Sequence, residues 1–139
     1  MSNDAGEARA KVGETEKLTL NVGVVDLGRI DLLVQEGFYS NRSDFIRTAI
    51  RNLLVAHADE VRTTVARRTL LLGLQSYSRA DLEQAVAAGQ QLHIHVVGLA
   101  RIAQDVSPEL ARAAIESVEV LGAFHASAEV RQALADRIR

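Results

Sequence analysis

The feature that most constrains the fold of this chain is one strand-like segment that has no second strand nearby to pair with. Polar and apolar residues alternate along Lys17–Val22 (KLTLNV), and Gly23 follows. Alternation with period two predicts a β-strand with one exposed and one buried face. The residues from there to Ala56 have helical spacing instead, so the backbone hydrogen bonds of this strand require a partner from elsewhere.

Two amphipathic helices are predicted behind this strand. The first has apolar residues at helical spacing between Val25 and Val34, and Gly37 is placed to end it. The second begins after Asn41, a good N-cap residue, and Asp44 has the spacing of a capping box. Its apolar residues are Phe45, Ile46, Ala49, Ile50, Leu53 and Leu54. These form two adjacent stripes, a face wider than one short partner helix would cover.

A unit of this size is expected to fold only as a pair. One strand and two helices in about 40 residues are close to the length below which a single hydrophobic core is too small. Association of two chains supplies both missing parts, because the strands 17–22 then pair as an antiparallel ribbon and the helices 42–56 pack across a two-fold axis. Stability alone therefore predicts a homodimer.

The second half of the chain shows internal repetition. The segments LLG, VVG and VLG end at Gly73, Gly98 and Gly122, which are 25 and 24 residues apart. Helical patterns follow over 78–88, 107–117 and 127–137. Asp81 has capping-box spacing in the first of these helices, and Pro108 falls in the first turn of the second. The pattern predicts three β-α units, with short parallel strands, helices on one side and tight turns at the glycines.

The exposed face of the predicted strand carries residue types that read base pairs. Lys17, Thr19 and Asn21 alternate along it. A two-stranded ribbon fits the major groove of B-DNA, where lysine suits guanine O6 and N7, asparagine suits adenine N6 and N7, and threonine serves several partners. The alternative interpretation is an ordinary half-exposed strand with unremarkable polar residues.

A second group of polar residues lies at the start of the second helix. Asn41, Arg42 and Ser43 occupy a helix N-terminus, where free amides and the helix dipole favour anions. Simple capping explains Asn41 but gives no role to Arg42. A ribbon that reads bases beside a turn that holds phosphate matches the division of contacts in DNA recognition. We therefore predict base reading by the strand residues and phosphate binding by 41–43.

Residues 16–54 resemble the ribbon-helix-helix fold of the CopG family of transcriptional regulators. The resemblance rests on KLTLNV at 17–22, GFYSNRS at 37–43, FIR at 45–47 and AIR at 49–51. It implies an obligate dimer that inserts its ribbon into the major groove of double-stranded DNA, with alternate strand residues reading bases and the turn at 41–43 holding phosphate. The remainder of the chain resembles an uncharacterised extension found behind such domains.

The predicted fold class is α+β, a β-α-α dimer followed by a small module of three β-α units. The predicted organisation comprises a disordered arm at 1–15, a ribbon-helix-helix DNA-binding domain at 16–56, a helical connector at 57–68 and an oligomerisation or sensing module at 69–139. Higher oligomers are expected to form through that last module.

The predicted DNA-binding domain has little net charge. Residues 16–56 contain five basic and five acidic side chains. Non-specific affinity increases with the number of phosphates that a protein neutralises. A single dimer is therefore expected to bind weakly and to depend on cooperative neighbours.

Two histidines suggest an alternative. His93 and His95 flank Ile94, so on a strand they share a face, where two imidazoles can chelate a transition metal. The sequence LHIH at 92–95 is similar to a strand in nickel-responsive members of the same superfamily, but this chain has no cysteine ligand and its three β-α units differ from their ferredoxin-like order. We expect no metal and no cofactor. A metal-responsive regulator that uses His93 and His95, with His125 of the third repeat as a further ligand, remains the alternative.

Composition and motifs exclude other classes of protein. The absence of cysteine removes disulfides and thiolate metal sites, and no apolar run approaches the length of a membrane span. With no signal peptide apparent, a cytoplasmic, nucleoid-associated prokaryotic protein is expected. No phosphate-binding loop, Gly-x-Ser-x-Gly elbow or His-Glu-x-x-His helix occurs, so no enzyme is predicted. The leading hypothesis is a transcriptional repressor; the alternatives are an antitoxin, a nucleoid or plasmid organiser, and an oligomeric scaffold that binds no DNA.

Overall fold

The computed structural model describes residues 14–139, which form two compact units, Thr15–Thr64 and one that contains Val65–Arg139. Both helices and strands are present, so the predicted α+β class is confirmed. The predicted disordered arm at 1–15 lies almost entirely outside the described residues. Among those that are described, no helix combines the length and the apolar character needed to cross a membrane.

The first unit contains two helices joined by a tight turn. They are α1, Val24–Gln35, and α2, Arg42–Ala56. After α1 the chain turns at Gly37, whose φ of 86° is accessible at little cost only to glycine. The N–H of Gly37 donates to the carbonyl of Val34 at 3.1 Å, and that of Phe38 to the carbonyl of Leu33 at 3.0 Å. This is the Schellman pattern, and it satisfies carbonyls that a helix end otherwise leaves unpaired.

The start of α2 follows the prediction in one respect and departs from it in another. The side chain of Asn41 accepts a hydrogen bond from the N–H of Asp44 at 2.8 Å, so the predicted N-cap is confirmed. The carboxylate of Asp44 accepts from the N–H of Ser40 at 3.0 Å. The prediction that it returns to Asn41 itself was wrong, because an extended φ of −166° at Asn41 turns that N–H away from the helix.

A separate helix follows directly. His57 ends α2, and its N–H donates to the carbonyls of Leu53 and Leu54 at 3.2 Å each. The next helix, α3, spans Ala58–Arg67 and is formed mainly by polar residues. The division between the two compact units falls within α3, after Thr64.

The predicted strand Lys17–Val22 is assigned neither helix nor strand in the single chain. A β-strand is defined by hydrogen bonds to a neighbouring strand. The only described sheet consists of three strands of the second unit, so this segment has no ladder partner among the described residues. The prediction of a strand therefore depends on a second chain.

The second unit has three strands, each followed by a helix. In chain order they are β1 Leu71–Tyr77, α4 Arg79–Ala87, β2 Leu92–Ile102, α5 Pro108–Ala114, β3 Ile115–His125 and α6 Ala128–Ala133. The strands form one parallel sheet in the order β1-β2-β3. Connections that contain a helix are what adjacent parallel strands require. Two of the strands have 11 residues, so the prediction of short strands was wrong for β2 and β3.

The core of this unit lies between the sheet and its helices. Alternate residues of β2, including Ile94 and Val96, have no solvent exposure, and β3 contributes Val118. The helices face them with Leu82 of α4, Ala111 and Ala114 of α5, and Val130 of α6. The opposite face of the sheet carries exposed leucines, of which Leu72 and Leu121 are 63% and 49% exposed.

The three repeat glycines do not form turns, and that prediction was wrong. Gly73, Gly98 and Gly122 lie within their strands and are paired in register across the sheet. Their φ angles are 123°, 134° and 122°. Glycine supplies positive φ inside a strand as well as in a turn. The glycines therefore form one continuous row across the sheet, which we call the glycine row.

The helix predicted over 107–117 is shorter in the structure. α5 stops at Ala114, and Ile115 already has extended angles, φ −112° and ψ 117°. Ile115 is fully buried opposite Leu92, and β3 then gains an extra residue at Glu116 before His93 pairs with Ser117. Burial of Ile115 in the sheet outweighs the weak helical preference of this short segment.

Candidate nucleic-acid interface

The segment predicted to read bases is exposed on both of its sides. Lys17, Thr19 and Asn21 are exposed. The apolar residues between them are also in solvent, with Leu18 82% and Leu20 65% exposed. Burying one such side chain fully stabilises a fold by about 1.5–3 kcal/mol. The apolar side of this segment therefore has the composition of a surface that is normally buried, yet no part of the described chain covers it.

The same is true of α2. No residue of this helix is buried, although it carries a stripe of large apolar side chains. Their exposed fractions are 36% for Ile46, 48% for Ile50, 63% for Leu53 and 59% for Leu54. In the whole unit Thr15–Thr64 the one buried residue is Ile30, at 8% exposure. A unit of this size without a core cannot offset the conformational entropy lost on folding.

The N-terminus of α2 keeps part of the predicted phosphate site. The N–H of Asp44 is bound by Asn41, while those of Arg42 and Ser43 donate to no described residue. Both side chains, like that of Asn41, lie at the surface. Two free N–H groups at a helix start can donate hydrogen bonds to a phosphate oxygen. The adjacent carboxylate of Asp44 reduces the positive potential there.

Arg42 has a role that the sequence analysis missed. Its Nε and Nη2 donate to the two carboxylate oxygens of Asp31 at 2.8 Å each, which joins α2 to α1. This bidentate geometry is the strongest that the two groups form. Helical periodicity could not identify the pair, because the residues are 11 positions apart on different helices. The charge of Arg42 is thus balanced within the chain.

This pair makes part of the stability of the first unit dependent on pH. The hydrogen bond from Arg42 holds the pKa of Asp31 below its ordinary value, and the charge of Arg42 adds to the effect. A carboxyl whose pKa is lowered in the folded state contributes stability above its pKa in the unfolded chain, about 3.9. That contribution is lost as the pH falls through the lower pKa of the folded state. It is small, because both side chains are about half exposed.

Asp31→Asn is therefore expected to destabilise the first unit slightly at neutral pH and not in strong acid. Urea unfolding of wild type and variant, compared at about pH 7 and pH 2, measures this difference. Glu36→Gln is a suitable control, since Glu36 is an exposed carboxylate just after the same helix and forms no ion pair with a described residue. An equal loss of stability at both pH values would mean that the ion pair is not the cause.

Of the five other basic side chains of this unit, two are paired with carboxylates, and one of these is Arg62, which lies 2.8 Å from Asp59. Arg29 pairs with Asp26 at 3.4 Å, whereas Lys17 and Arg47 form no ion pair with any described residue. Arg51 donates to the hydroxyl of Thr48 at 3.3 Å. The charges available for phosphate are therefore Lys17 on the reading segment and Arg47 and Arg51 on α2.

The two candidate metal ligands do lie on one face of β2, and both contact the same hydroxyl. Oγ of Ser117 is 2.9 Å from Nδ1 of His93 and 3.1 Å from Nε2 of His95. The second nitrogen of His93 lies 3.3 Å from the carboxylate of Glu116. Because a serine hydroxyl has one proton, at least one of the two imidazoles donates to it. The histidines are thus hydrogen-bonded to residues of β3.

His125 does not approach these histidines, and that expectation was wrong. It pairs in register with Arg101, six residues beyond His95 on β2. At about 3.3 Å per residue the two positions are roughly 20 Å apart along the strand. The described residues contain no group of three or more His, Cys, Asp or Glu side chains placed to hold a metal ion.

Among the comparisons with known proteins, only the one with family models finds a match. No curated protein and no solved structure matches the chain significantly. A family model described as a ribbon-helix-helix transcriptional regulator family matches residues 13–131. That match confirms the resemblance found at 16–54 and extends through the β-α units, which are therefore part of the pattern by which this family is recognised. Since the match covers most of the 139 residues, the chain belongs to the ribbon-helix-helix transcriptional regulator family.

Proposed function

We propose that this chain is a sequence-specific DNA-binding repressor that acts as a dimer. In the dimer, segments 17–22 of two chains pair as an antiparallel ribbon in the major groove. The observation that carries the proposal is the two-sided exposure of Lys17–Val22 in a unit with one buried residue. Pairing with a second chain would cover the apolar side and leave the polar side facing DNA. Membership of a family of DNA-binding regulators supports the same function.

The roles of the individual residues follow from their chemistry. Lys17 suits guanine, Asn21 suits adenine, and Thr19 contacts several base edges. The N–H groups of Arg42 and Ser43 would donate to a backbone phosphate beside the ribbon, while Asn41 accepts from the N–H of Asp44 behind them. With Arg42 paired to Asp31, few phosphates are neutralised by each chain, which implies a weak dependence of affinity on salt.

Repression is favoured over the other roles of such dimers. Occupying an operator requires no part beyond the dimer itself. An antitoxin needs a segment that becomes ordered on its toxin, whereas residues of the second unit already form a sheet with a core of fully buried side chains. The hydrogen bonds of His93 and His95 to Ser117 offer no support for a metal-responsive regulator.

The function is tested by selecting bound sites from random duplex DNA at low salt, with wild type beside Asn21→Ala. Loss of one bidentate base contact costs about 1–3 kcal/mol of discrimination, which is roughly a 5- to 150-fold change in preference at one base position of each half-site. The consensus of the variant is therefore expected to lose its requirement at that position and to keep the others.

The matched control is Asn52→Ala, which removes the same side chain from an exposed position of α2. Its consensus should equal that of the wild type. Failure of the wild type to enrich any sequence would mean that the segment only dimerises the chain, which is the scaffold alternative. A consensus unchanged by Asn21→Ala would refute base reading by this residue.

A further inference from the structure

In the glycine row, the backbone of each strand lies very close to the glycine of the next strand. A Cβ atom on Gly98 would collide with the backbone carbonyl oxygen of Gly73, and one on Gly122 would collide with the carbonyl oxygen of Gly98. Each carbonyl therefore occupies the space that a side chain on the next strand would need. Gly73 has the same positive φ but no described atom within 4 Å of its Cβ position. The space that a carbonyl oxygen fills beside Gly98 and Gly122 therefore holds no described atom beside Gly73.

No segment of residues 14–139 pairs with the outer edge of β1. Exposed sheet edges are usually blocked by charged residues, proline or a covering segment, because their free N–H and C=O groups pair readily with other chains. β1 (LLGLQSY) has no charge and no proline, and within the described residues it pairs on one side only. Leu71, on the face that the helices cover, is 50% exposed, whereas Val96 opposite it is fully buried.

The outer edge of β3 is paired with the chain's residues 137–139 near its beginning, and the strand extends past that contact. The N–H of Val118 donates to the carbonyl of Arg137 at 3.0 Å, and its carbonyl accepts from the N–H of Arg139 at 2.8 Å. Val118 therefore directs its backbone groups outward, and by alternation Val120 and Gly122 do so too. Pairing of β1 with β2 begins at Leu71 opposite Val96, whose partner on β3 is Val120. From Val120 onward no described backbone N–H donates to this edge, and Val120 is also where a copy of β1 would begin to pair.

We propose that β1 of one chain pairs in parallel with β3 of a second copy, which continues the sheet and the glycine row from chain to chain. In the register of the existing sheet, Leu71 would lie opposite Val120, and Gly73 opposite Gly122 of the other copy. The carbonyl of that Gly122 would fill the empty space beside Gly73. The two surfaces differ, so the contact is heterologous and leaves a free edge at each end for further copies.

The far end of the new pairing has one competing contact. Nη1 of Arg131 donates to the carbonyl oxygen of Phe124 at 3.0 Å on the β3 edge. A carbonyl oxygen has two lone pairs and accepts a second hydrogen bond from an incoming strand. This association goes beyond the proposed function and does not depend on DNA. In a DNA-binding dimer it would link neighbouring dimers on repeated sites.

Disulfide cross-linking of the full chain tests the register directly, because the wild type has no cysteine. Leu72 and Leu121 both pair with Val97, so the proposed contact puts them side by side in different copies. Their Cα atoms would be about 4.8 Å apart between copies but roughly 9.6 Å apart within one chain, beyond the reach of a disulfide. The variant with Leu72→Cys and Leu121→Cys is expected to give a ladder of covalent oligomers on oxidation.

Three controls make the result specific. Each single variant alone should remain uncross-linked, and a mixture of the two should give covalent dimers only. The pair Leu74→Cys with Leu121→Cys lies two residues out of register and should react poorly. Packing of two sheets face to face keeps backbones about 10 Å apart, so it would associate chains without forming these disulfides.

Two outcomes would overturn the proposal. The first is a double variant that is folded by circular dichroism but does not cross-link, or cross-links no better than the out-of-register pair. The second is a wild-type chain that shows no species larger than a dimer in sedimentation velocity as its concentration is raised. DNA-site selection is measured separately. A failure of cross-linking therefore does not contradict the proposed DNA-binding function, and a failure of site selection does not contradict the sheet contact.

Discussion

Leu53→Glu is expected to separate the paired first units and to weaken DNA binding by roughly 100-fold or more. Leu53 is 63% exposed in one chain, and in the proposed dimer it lies between the two copies of α2. A carboxylate buried there without a partner costs about 3–5 kcal/mol, and each 1.4 kcal/mol is a factor of ten in the dimer equilibrium. Because the first unit has no core of its own, loss of pairing should also unfold it.

Amide hydrogen exchange on the full chain distinguishes this effect from general unfolding. Peptides covering α1 and α2 should lose protection in the variant, whereas those covering β2 and β3 should keep it. Asn52→Glu adds the same charge at the neighbouring exposed position and should change stability by no more than about 0.5 kcal/mol, as surface substitutions usually do. Retained protection of α2 in Leu53→Glu would show that this helix face is not the dimer contact.

Gly98→Ala is expected to unfold the second unit at a markedly lower temperature than the wild type. The added Cβ would collide with the carbonyl oxygen of Gly73, which is backbone and cannot move aside without separating β1 from β2. The φ of 134° is a further cost for alanine, and backbone strain of this kind is about 1–3 kcal/mol. With the collision added, a total of about 3 kcal/mol lowers the melting temperature of a unit of this size by roughly 15 °C.

Gly73→Ala is the matched control at concentrations too low for sheets of different copies to pair, because within one chain it has the same backbone strain without the collision. Scanning calorimetry should give Gly73→Ala a melting temperature between those of the wild type and Gly98→Ala. Equal melting temperatures for the two variants would mean that φ alone requires glycine in this row. A wild-type melting temperature for Gly98→Ala would contradict the described packing of β1 on β2.

The local structure of this protein could be predicted from its sequence. Helix starts depend on residues three or four positions apart, and the capping box of Ser78 with Asp81 and the N-cap at Asn41 are both found in the structure. The bounds predicted for the second helix, 42–56, are those of α2. Gly37 ends the preceding helix, as expected from its position.

Contacts between residues far apart along the chain could not be predicted from local sequence patterns. Gly98 appeared to mark a turn, and its place inside a strand follows from register with Gly73 and Gly122. The ion pair of Arg42 with Asp31 depends on how two helices pack, so a residue predicted to bind phosphate is held by a carboxylate instead.

The sequence by itself determined the helices, their caps, the alternating segment 17–22 and the family resemblance, because all of these are encoded by neighbours along the chain. Only the tertiary structure decided that Ile115 joins a strand, that His125 lies far from His95, and that three glycines align across a sheet. Those features arise from pairing between segments about 25 residues apart, and spacing within a segment does not specify the register of such pairing. The edge left open at Gly73 follows from the same register.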